Sequence, residues 1–240
     1  MDTNGNSGGL FERYLTPIAI VLGAVIIALA FAFGQGAIKN PSAANPDTTG
    51  GTADISKVKV EGEPFVGDAN APVTMAFYFD YQCPFCKQFD QAVTTQLYEN
   101  FVKTGKLKIV FKDFQFLGED STTAALFGRA MWELYPEQFY TWHQAMFTAQ
   151  DDEGDQGFGD LPSIQTLTKA VPGVDVDKVT ALMNQKRDAY LVLIKADRDE
   201  GASMGINGTP AAIVGTKLLS NLYPNDFYNA VAAEVNAGGK

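Results

Sequence analysis

The sequence is poor in the residues that build metal sites and disulfide frameworks. Its 240 residues include two cysteines and one histidine. Two cysteines cannot make a disulfide framework, so the stability of the fold must come from a hydrophobic core. A closed zinc site has four ligands, so one built on those cysteines would need two more. The chain has one histidine, so a carboxylate would have to be the fourth ligand. Both thiols are therefore free for chemistry, and a metal-binding module is a weak alternative.

Positive charge is also scarce. The chain has 18 Lys and Arg against 28 Asp and Glu, a formal net charge of −10. Because no block of basic residues is present to neutralise phosphates, the composition argues against nucleic-acid binding. The acidity indicates solubility more than a partner. With 46% hydrophobic residues, the chain can bury one substantial core with an insertion, or two small domains.

Charge is absent altogether from residues 14–38, which are mostly apolar. A helix of about 20 such residues spans a bilayer, so we predict a transmembrane anchor at 14–38, after a tail at 1–13. A cleaved signal peptide has a shorter apolar region, of about 7 to 15 residues, and remains an alternative, as does a buried soluble helix. Arg13 and Lys39 give almost no orientation bias. Residues 39–56, rich in Gly, Asn, Pro and Thr, are predicted to form a linker.

The two cysteines, Cys83 and Cys86, lie where a strand pattern changes to a helix pattern. Val73 to Phe79 is β-branched, aromatic and apolar, as is typical of a strand buried on both faces. After the cysteines, apolar residues recur every four positions, at Phe89, Val93, Leu97 and Phe101. A Cys-x-x-Cys at such a junction predicts a redox site. The helix N-terminus would favour a thiolate on Cys83, and Cys86 would lie close enough to form a disulfide with it.

The rest of the chain predicts strands on either side of a block of helices. Lys57 to Val60 alternates as a half-exposed strand does, and Leu107 to Phe111 predicts another strand. The pattern between 116 and 202 is helical, and Ser121 can cap the first of these helices. An acidic loop at 151–160 interrupts the pattern. We interpret this loop as solvated surface rather than a calcium site. Strands follow at 211–214 and 217–219, then a helix from Pro224. This interrupted α/β pattern suggests one domain inserted into another.

Four motifs together resemble the DsbA-like thiol-disulfide oxidoreductases of the thioredoxin superfamily. They begin at Gly67, Asp80, Phe111 and Gly205 and read Gly-Asp-x-x-Ala-Pro-Val-Thr, Asp-Tyr-Gln-Cys-Pro-Phe-Cys, Phe-Lys-Asp-Phe and Gly-Ile-x-Gly-Thr-Pro. The resemblance covers roughly residues 58 to 237. It implies a thioredoxin fold with a helical insertion, here a thioredoxin-like domain at 57–115 and 203–240 and an insertion at 116–202.

The resemblance also implies residue roles. Cys83 would be the exposed nucleophile and Cys86 the resolving thiol, with Pro84 and Phe85 tuning the stability of the thiolate. Pro210 would be a cis proline beside the disulfide, and Thr209 would offer its backbone to an extended substrate segment. An ordinary trans turn at Thr209-Pro210 is the alternative.

Two positions depart from the family pattern. Many relatives carry an acid six residues before the first cysteine, where this chain has Phe77, and many strong oxidants have a histidine where it has Phe85. Deprotonation of Cys86 would then fall to water or to Asp80, and we expect a moderate oxidant with slower exchange. Away from the motif, we expect His143 to be a packed or surface helix residue. Lys112 is expected to be a solvated residue at a strand end or a residue that tunes the site by its charge.

The leading functional hypothesis is an enzyme that donates its Cys83-Cys86 disulfide to exported proteins. Its expected partners are unfolded or extended exported proteins, a quinone-linked membrane protein that reoxidises it, and the membrane itself through residues 14–38. No cofactor beyond the redox-active disulfide, no metal and no nucleic acid are expected. The body would lie on the extracytoplasmic side. An extracytoplasmic reductase or isomerase of the same fold is the nearest alternative, followed by a peptide-binding chaperone.

Overall fold

The structure is a computed structural model that describes residues 51–151, 158–220 and 223–238. The predicted anchor at 14–38 and most of the acidic loop lie outside these residues. Within them, no helix is both long enough and apolar enough to cross a membrane.

A five-stranded mixed sheet forms the centre of the fold. In chain order the strands are β1 (Phe65–Val66), β2 (Val73–Phe79), β3 (Leu107–Asp113), β4 (Ala211–Val214) and β5 (Lys217–Leu219). In space they run β1-β3-β2-β4-β5. Strands β2 and β3 are parallel, and the other neighbours are antiparallel. The strands predicted at 73–79, 107–111, 211–214 and 217–219 are therefore confirmed.

Both faces of the central strand β2 are covered, as its continuous apolar sequence predicted. On one face Met75, Phe77 and Phe79 join a large aromatic core that includes Phe111 and Phe227. On the other face a smaller cluster forms around Ala76, Tyr78, Ala211 and Ile213. The alternation follows from the two-residue repeat of a β-strand, which sends successive side chains to opposite faces.

The helical run after the cysteines is not a uniform α-helix. Helix α1 (Pro84–Phe89) continues into a π-helical turn at Asp90–Thr94, a short α-helical segment α2 (Thr95–Leu97) and a second π-helical turn at Tyr98–Val102. In π turns the backbone bonds span five residues instead of four, and such turns are frequent at functional sites.

Among the described residues, five helices lie between β3 and β4 in the sequence, and one follows β5. They are α3 (Glu119–Leu134), α4 (Pro136–Ala149), α5 (Leu161–Thr168), α6 (Val176–Gln185), α7 (Arg187–Ser203) and α8 (Pro224–Asn236). Buried aromatic side chains of α3 and α4, among them Phe127, Trp142 and Phe147, pack into the same core as the sheet. The predicted helical block is therefore present and is continuous with the sheet through one core.

Three local predictions were wrong. Residues 57 to 60 do not form a strand, because the chain forms a 3₁₀ turn at Ile55–Lys57 and the edge strand β1 follows only at Phe65. Ser121 does not cap α3, since that helix begins two residues earlier after Gly118, whose φ of 100° only glycine adopts readily. Lys112 is not solvated but fully buried, so the first of the two settings expected for it was wrong.

Lys112 belongs to a buried ionic network at the β3 side of the sheet. The network consists of two cations and four carboxylates: Lys112, Arg129, Glu63, Asp113, Asp197 and Glu200. Lys112 Nζ lies 2.6 Å from Asp197 Oδ1 and 3.1 Å from Glu200 Oε1. Arg129 is paired with Glu63 and Asp113 at 2.5 Å each and also with Asp197. Burial by itself would lower the pKa of Arg129, but the surrounding carboxylates outweigh it and raise that pKa.

Candidate active site

Cys83 occupies the N-cap position of α1, with Pro84 as the first helical residue. Its carbonyl oxygen accepts hydrogen bonds from the backbone N–H groups of Cys86 and Lys87, at 3.0 and 3.2 Å. Proline suits this position because its fixed φ matches the helix and it lacks an N–H that would have no partner there. The sequence Cys-Pro-Phe-Cys thus places one sulfur at the start of a helix and the other within its first turn.

Both cysteines are present as free thiols and both are buried. Cys83 is 3% exposed and Cys86 is fully covered, so the expectation of an exposed Cys83 was wrong. The covering residue near Cys83 is Thr209, whose carbonyl oxygen accepts a hydrogen bond from the Cys83 thiol at 3.4 Å. Beside it, Phe85 and Pro210 line a cavity of about 160 Å³ together with Gln88, Phe89, Ala92 and Pro224. This cavity therefore adjoins the segments that carry Cys83 and Thr209.

The two thiols differ strongly in acidity. A hydrogen bond from the Cys86 thiol lowers the pKa of Cys83, burial opposes this, and the backbone N–H groups of Cys86 and Phe85 add to the lowering, so that this pKa is about 6. Burial raises the pKa of Cys86 well above its ordinary value, and the neighbouring Cys83 raises it further. Of the two, Cys83 is therefore the thiol that ionises more readily, and Cys86 is the one that keeps its proton.

Thr209 and Pro210 come to the cysteines from the far end of the chain. The peptide bond between them is cis, as the resemblance implied. Strand β4 starts directly afterwards and pairs with β2, with Ala211 opposite Tyr78. Because β2 leads into the cysteine loop, this pairing brings residue 209 to residue 83.

The acid suspected of serving Cys86, Asp80, is engaged elsewhere. One oxygen of its buried carboxylate accepts the N–H of Gln82 at 2.9 Å, and the other accepts the N–H groups of Phe116 and Leu117 at 3.0 and 3.3 Å. Burial raises the pKa of Asp80, and the hydrogen bonds, including one with Ser121, oppose the rise. Asp80 thus ties the cysteine loop to the segment after β3. Phe77, where relatives carry an acid, is a core residue stacked on Phe89 at 4.6 Å.

Most of the aromatic side chains near the site are packed into the core. Phe114, Trp142 and Phe147 are buried, and Trp132 is partly buried against the core. Phe85 and Phe116 are the exceptions, with 46% and 45% of their surface exposed. They give the neighbourhood of the cysteines an apolar surface.

Little in the sequence indicates that three polar residues, Tyr81, Asp90 and His143, meet in the core. The hydroxyl of Tyr81 lies 2.9 Å from Nδ1 of His143, and Nε2 of His143 lies 3.6 Å from Oδ1 of Asp90. All three residues are buried. His143 is thus packed, one of the two settings expected for it, but its polar partners were not foreseen. The sequence signal that could have pointed to Asp90 is its spacing, because it follows Cys86 by four residues and so lies on the same face of the helix.

Comparison with known proteins gives consistent matches. A family model described as thioredoxin matches residues 59–233. Disulfide bond formation protein D of Bacillus subtilis is 28% identical over 187 residues, covering 76% of this chain and 81% of the relative. The oxidised crystal structure of BdbD from the same organism superposes with a TM-score of 0.67 at 24% identity, covering 74% of this chain and 95% of that one. The crystal structure of the thiol-disulfide exchange protein α-DsbA2 from Wolbachia pipientis superposes with a TM-score of 0.65 at 25% identity. The match covers 74% of this chain and 90% of that one.

Proposed function

Because this chain belongs to the thioredoxin family, we propose that it is a thiol-disulfide oxidoreductase that introduces disulfides into exported proteins by exchange at Cys83 and Cys86. The observation that carries the proposal is the placement of Cys83 at the start of α1, with Cys86 in the first turn and the cis Thr209-Pro210 bond beside Cys83. The curated relatives named disulfide bond formation protein D support the direction of the reaction.

The exchange proceeds in two steps. A client thiolate attacks Sγ of Cys83 in the oxidised enzyme, the S–S bond breaks, and Cys86 leaves as a thiolate that takes up a proton. A second client thiolate then attacks the client sulfur of the mixed disulfide, and Cys83 leaves as a thiolate. The client loses two electrons and the enzyme gains them. Since a thiol of low pKa is a good leaving group, Cys83 favours release of the oxidised client.

The surroundings of Cys83 supply the binding surface. The exposed Phe85 tunes the site and contacts an incoming apolar segment, and Pro84 fixes the geometry of the helix start. Thr209 and Pro210 lie beside the sulfur, where an extended client segment can form main-chain hydrogen bonds. Such bonds are available in every peptide, so this mode suits unrelated clients. The chemistry needs no metal or further cofactor, since the electrons pass through the Cys83-Cys86 pair.

A reductase or isomerase of the same fold is the second candidate. It is favoured by the pKa of Cys83, about 6, which lies between the values of about 7 for thioredoxin and about 3.5 for DsbA. A less stabilised thiolate makes a weaker oxidant. A reduction potential near that of thioredoxin would favour the reductase, and a clearly higher potential would favour the oxidase.

The location and recycling of the enzyme are part of the same proposal. Residues 14–38 would anchor it to the membrane, as their uncharged apolar sequence supports, and the body would face the extracytoplasmic side, where disulfides persist. A quinone-linked membrane partner would reoxidise Cys83 and Cys86.

The test is oxidative folding of a reduced secreted protein by the full chain. We expect Cys83→Ser to abolish disulfide formation. Cys86→Ser is incubated instead with the oxidised client, whose disulfide its Cys83 thiolate attacks. Because no Cys86 remains to release the client, a mixed disulfide between client and Cys83 should accumulate and be visible on a non-reducing gel. Undiminished activity of Cys83→Ser would overturn the redox function and favour a chaperone.

A further inference from the structure

Cys86 must gain and lose a proton in every catalytic cycle. It leaves the enzyme disulfide as a thiolate and becomes a thiol, and it reverses this change on reoxidation. Yet Cys86 is fully buried, away from bulk water. A nearby group must therefore exchange a proton with it.

The buried carboxylates around the site differ in their freedom to do so. Both oxygens of Asp80 are used by backbone N–H groups. Asp113 accepts hydrogen bonds from Gln115 and Arg129. Asp90, in contrast, is 3% exposed, and its Oδ1 has no hydrogen-bond partner among the described residues. A buried oxygen without a partner is costly and calls for an explanation.

The position of Asp90 relates it directly to Cys86. Its backbone N–H donates to the carbonyl of Cys86, which is the bond that closes one α-helical turn. Residues four apart in a helix lie on the same face, with Cβ atoms about 5–6 Å apart. Asp90 also begins the first π-helical turn. Cys86 and Asp90 therefore share the buried face of the helix.

His143 of α4 meets Asp90 in this buried region. Its Nε2 lies 3.6 Å from Asp90 Oδ1 and also has no hydrogen-bond partner among the described residues. Its Nδ1 is paired with the Tyr81 hydroxyl. Aromatic rings surround the imidazole, including those of Phe79, Phe111 and Phe147. Two unpaired atoms capable of carrying a proton thus face each other, one of them on the side chain that follows Cys86 by one helical turn.

We propose that Asp90 and His143 form the proton-exchange pair of Cys86, a role that rests on the proposed function. When a client thiolate displaces Cys86, the new thiolate takes a proton held between the Asp90 carboxylate and His143 Nε2. On reoxidation, Cys86 returns a proton to the pair and attacks as a thiolate. Tyr81 is a positioning residue that holds the imidazole through Nδ1.

The charged and titratable groups facing this pair are few. Tyr81 comes from the cysteine loop and Tyr140 from α4, and Asp90 raises the pKa of both, after the larger effect of burial and, for Tyr81, of Asp113. Asp113 of β3 raises the pKa of Tyr81, and Arg129 of α3 lowers it.

The kinetic test compares Asp90→Asn with the matched control Thr94→Val in the full chain. Thr94 lies one turn beyond Asp90, is equally buried and carries no charge. Reduction of the enzyme disulfide by a peptide dithiol is followed against pH. We expect Asp90→Asn to slow it on the order of 100-fold, as loss of a general acid–base does, and to flatten its pH profile. Thr94→Val should stay close to wild type, and the pKa of Cys83 should remain about 6 in both.

A wild-type rate and pH profile in Asp90→Asn would overturn the proposal, as would an equal loss in Thr94→Val, which would indicate a structural effect. The proposed function is tested separately by Cys83→Ser. If that variant is inactive while Asp90→Asn is unaffected, the proton-exchange pair alone is rejected.

A second measurement needs no variant and decides the case if Asp90→Asn does not fold. His143 is the single histidine, so the ¹⁵N NMR signals of its imidazole are unambiguous in the full chain. We expect its protonation or tautomer to change between the oxidised and reduced protein over a pH titration. Identical titrations in the two states would overturn the role of His143.

Discussion

The ionic network and the cysteine site are both buried polar regions, but they differ in how completely their groups are paired. In the network, Arg129 contacts three carboxylates and Lys112 contacts three. Beneath the cysteines, His143 and Asp90 face each other at 3.6 Å with unpaired atoms on both sides.

This difference separates groups that hold the fold from groups beside the chemistry. In the network, the carboxylates outweigh burial and raise the pKa of Arg129 and of Lys112, so both cations stay charged. Burial raises the pKa of their shared partner Asp197 to about 6. The network ties β3 to α3 and α7, far apart in sequence. The loosely paired groups lie beside the thiols that carry the chemistry.

Removing a cation from the network should have the largest effect. Arg129→Met leaves the carboxylates of Glu63, Asp113 and Asp197 without this partner, and breaking a buried pair in this way costs about 3–5 kcal/mol. We expect the free energy of unfolding in urea to fall by that amount, with the pKa of Cys83 unchanged in protein that remains folded. A loss below about 1 kcal/mol would contradict the view that the network holds the fold.

The pH dependence of the reduced protein is a smaller effect that belongs to the cysteine site. Because the pKa of Cys83 is lowered to about 6 from about 8.5 in the unfolded chain, its contribution to stability is complete above about 8.5 and is lost as pH falls through 6. Burial raises the pKa of Cys86, so below its ordinary pKa this thiol is protonated in both the folded and the unfolded state. It therefore adds no pH dependence to the free energy of unfolding in that range.

We expect the unfolding free energy of reduced wild type, relative to Cys83→Ser, to decline between about pH 8.5 and 6. Thiolate absorbance in the ultraviolet should titrate with a midpoint near 6. A midpoint near the ordinary value would mean that the helix start does not stabilise the thiolate.

Phe85→His should change acidity with little change in stability. Phe85 is 46% exposed, so the substitution removes little packing, while a protonated imidazole adds a positive charge near the thiolate. We expect the pKa of Cys83 to fall below 6 and the reduction potential to rise. Phe85→Leu serves as the uncharged control, and an unchanged potential in Phe85→His would exclude residue 85 as a tuning position.

The smallest effect is expected from an exposed ion pair. Lys103 lies 2.8 Å from Glu99 with both side chains about half exposed. Lys103→Met removes a cation, as Arg129→Met does, but surface pairs contribute only about 0.2–1 kcal/mol. If Lys103→Met and Arg129→Met lost similar amounts of unfolding free energy, burial would not be the reason that the ionic network stabilises the fold more than the exposed pair.

Local patterns predicted most of the fold and the centre of the site. The strand at Val73, the helix after Cys86 and the final helix at Pro224 follow from short-range sequence signals, and all are present. The resemblance added the position of Thr209 and Pro210, which no local pattern could bring to Cys83.

The errors concern residues whose surroundings are distant in sequence. Lys112 is read as a strand-end lysine until its partners Asp197 and Glu200 are placed next to it. Cys83 is covered by a carbonyl 126 positions away. Sequence spacing predicts which face a side chain occupies, but burial depends on what later folds over that face.

The π-helical turns explain the exact four-residue spacing of Phe89, Val93, Leu97 and Phe101. Each α-helical residue rotates about 100°, so a step of four overshoots a full circle by about 40° and three steps drift by about 120°. Two looser turns absorb this drift, and Phe89, Val93 and Leu97 all remain buried. The four-residue apolar repeat therefore matches the average number of residues per turn in this segment. A one-residue deletion in either π turn would rotate the residues that follow it away from the core.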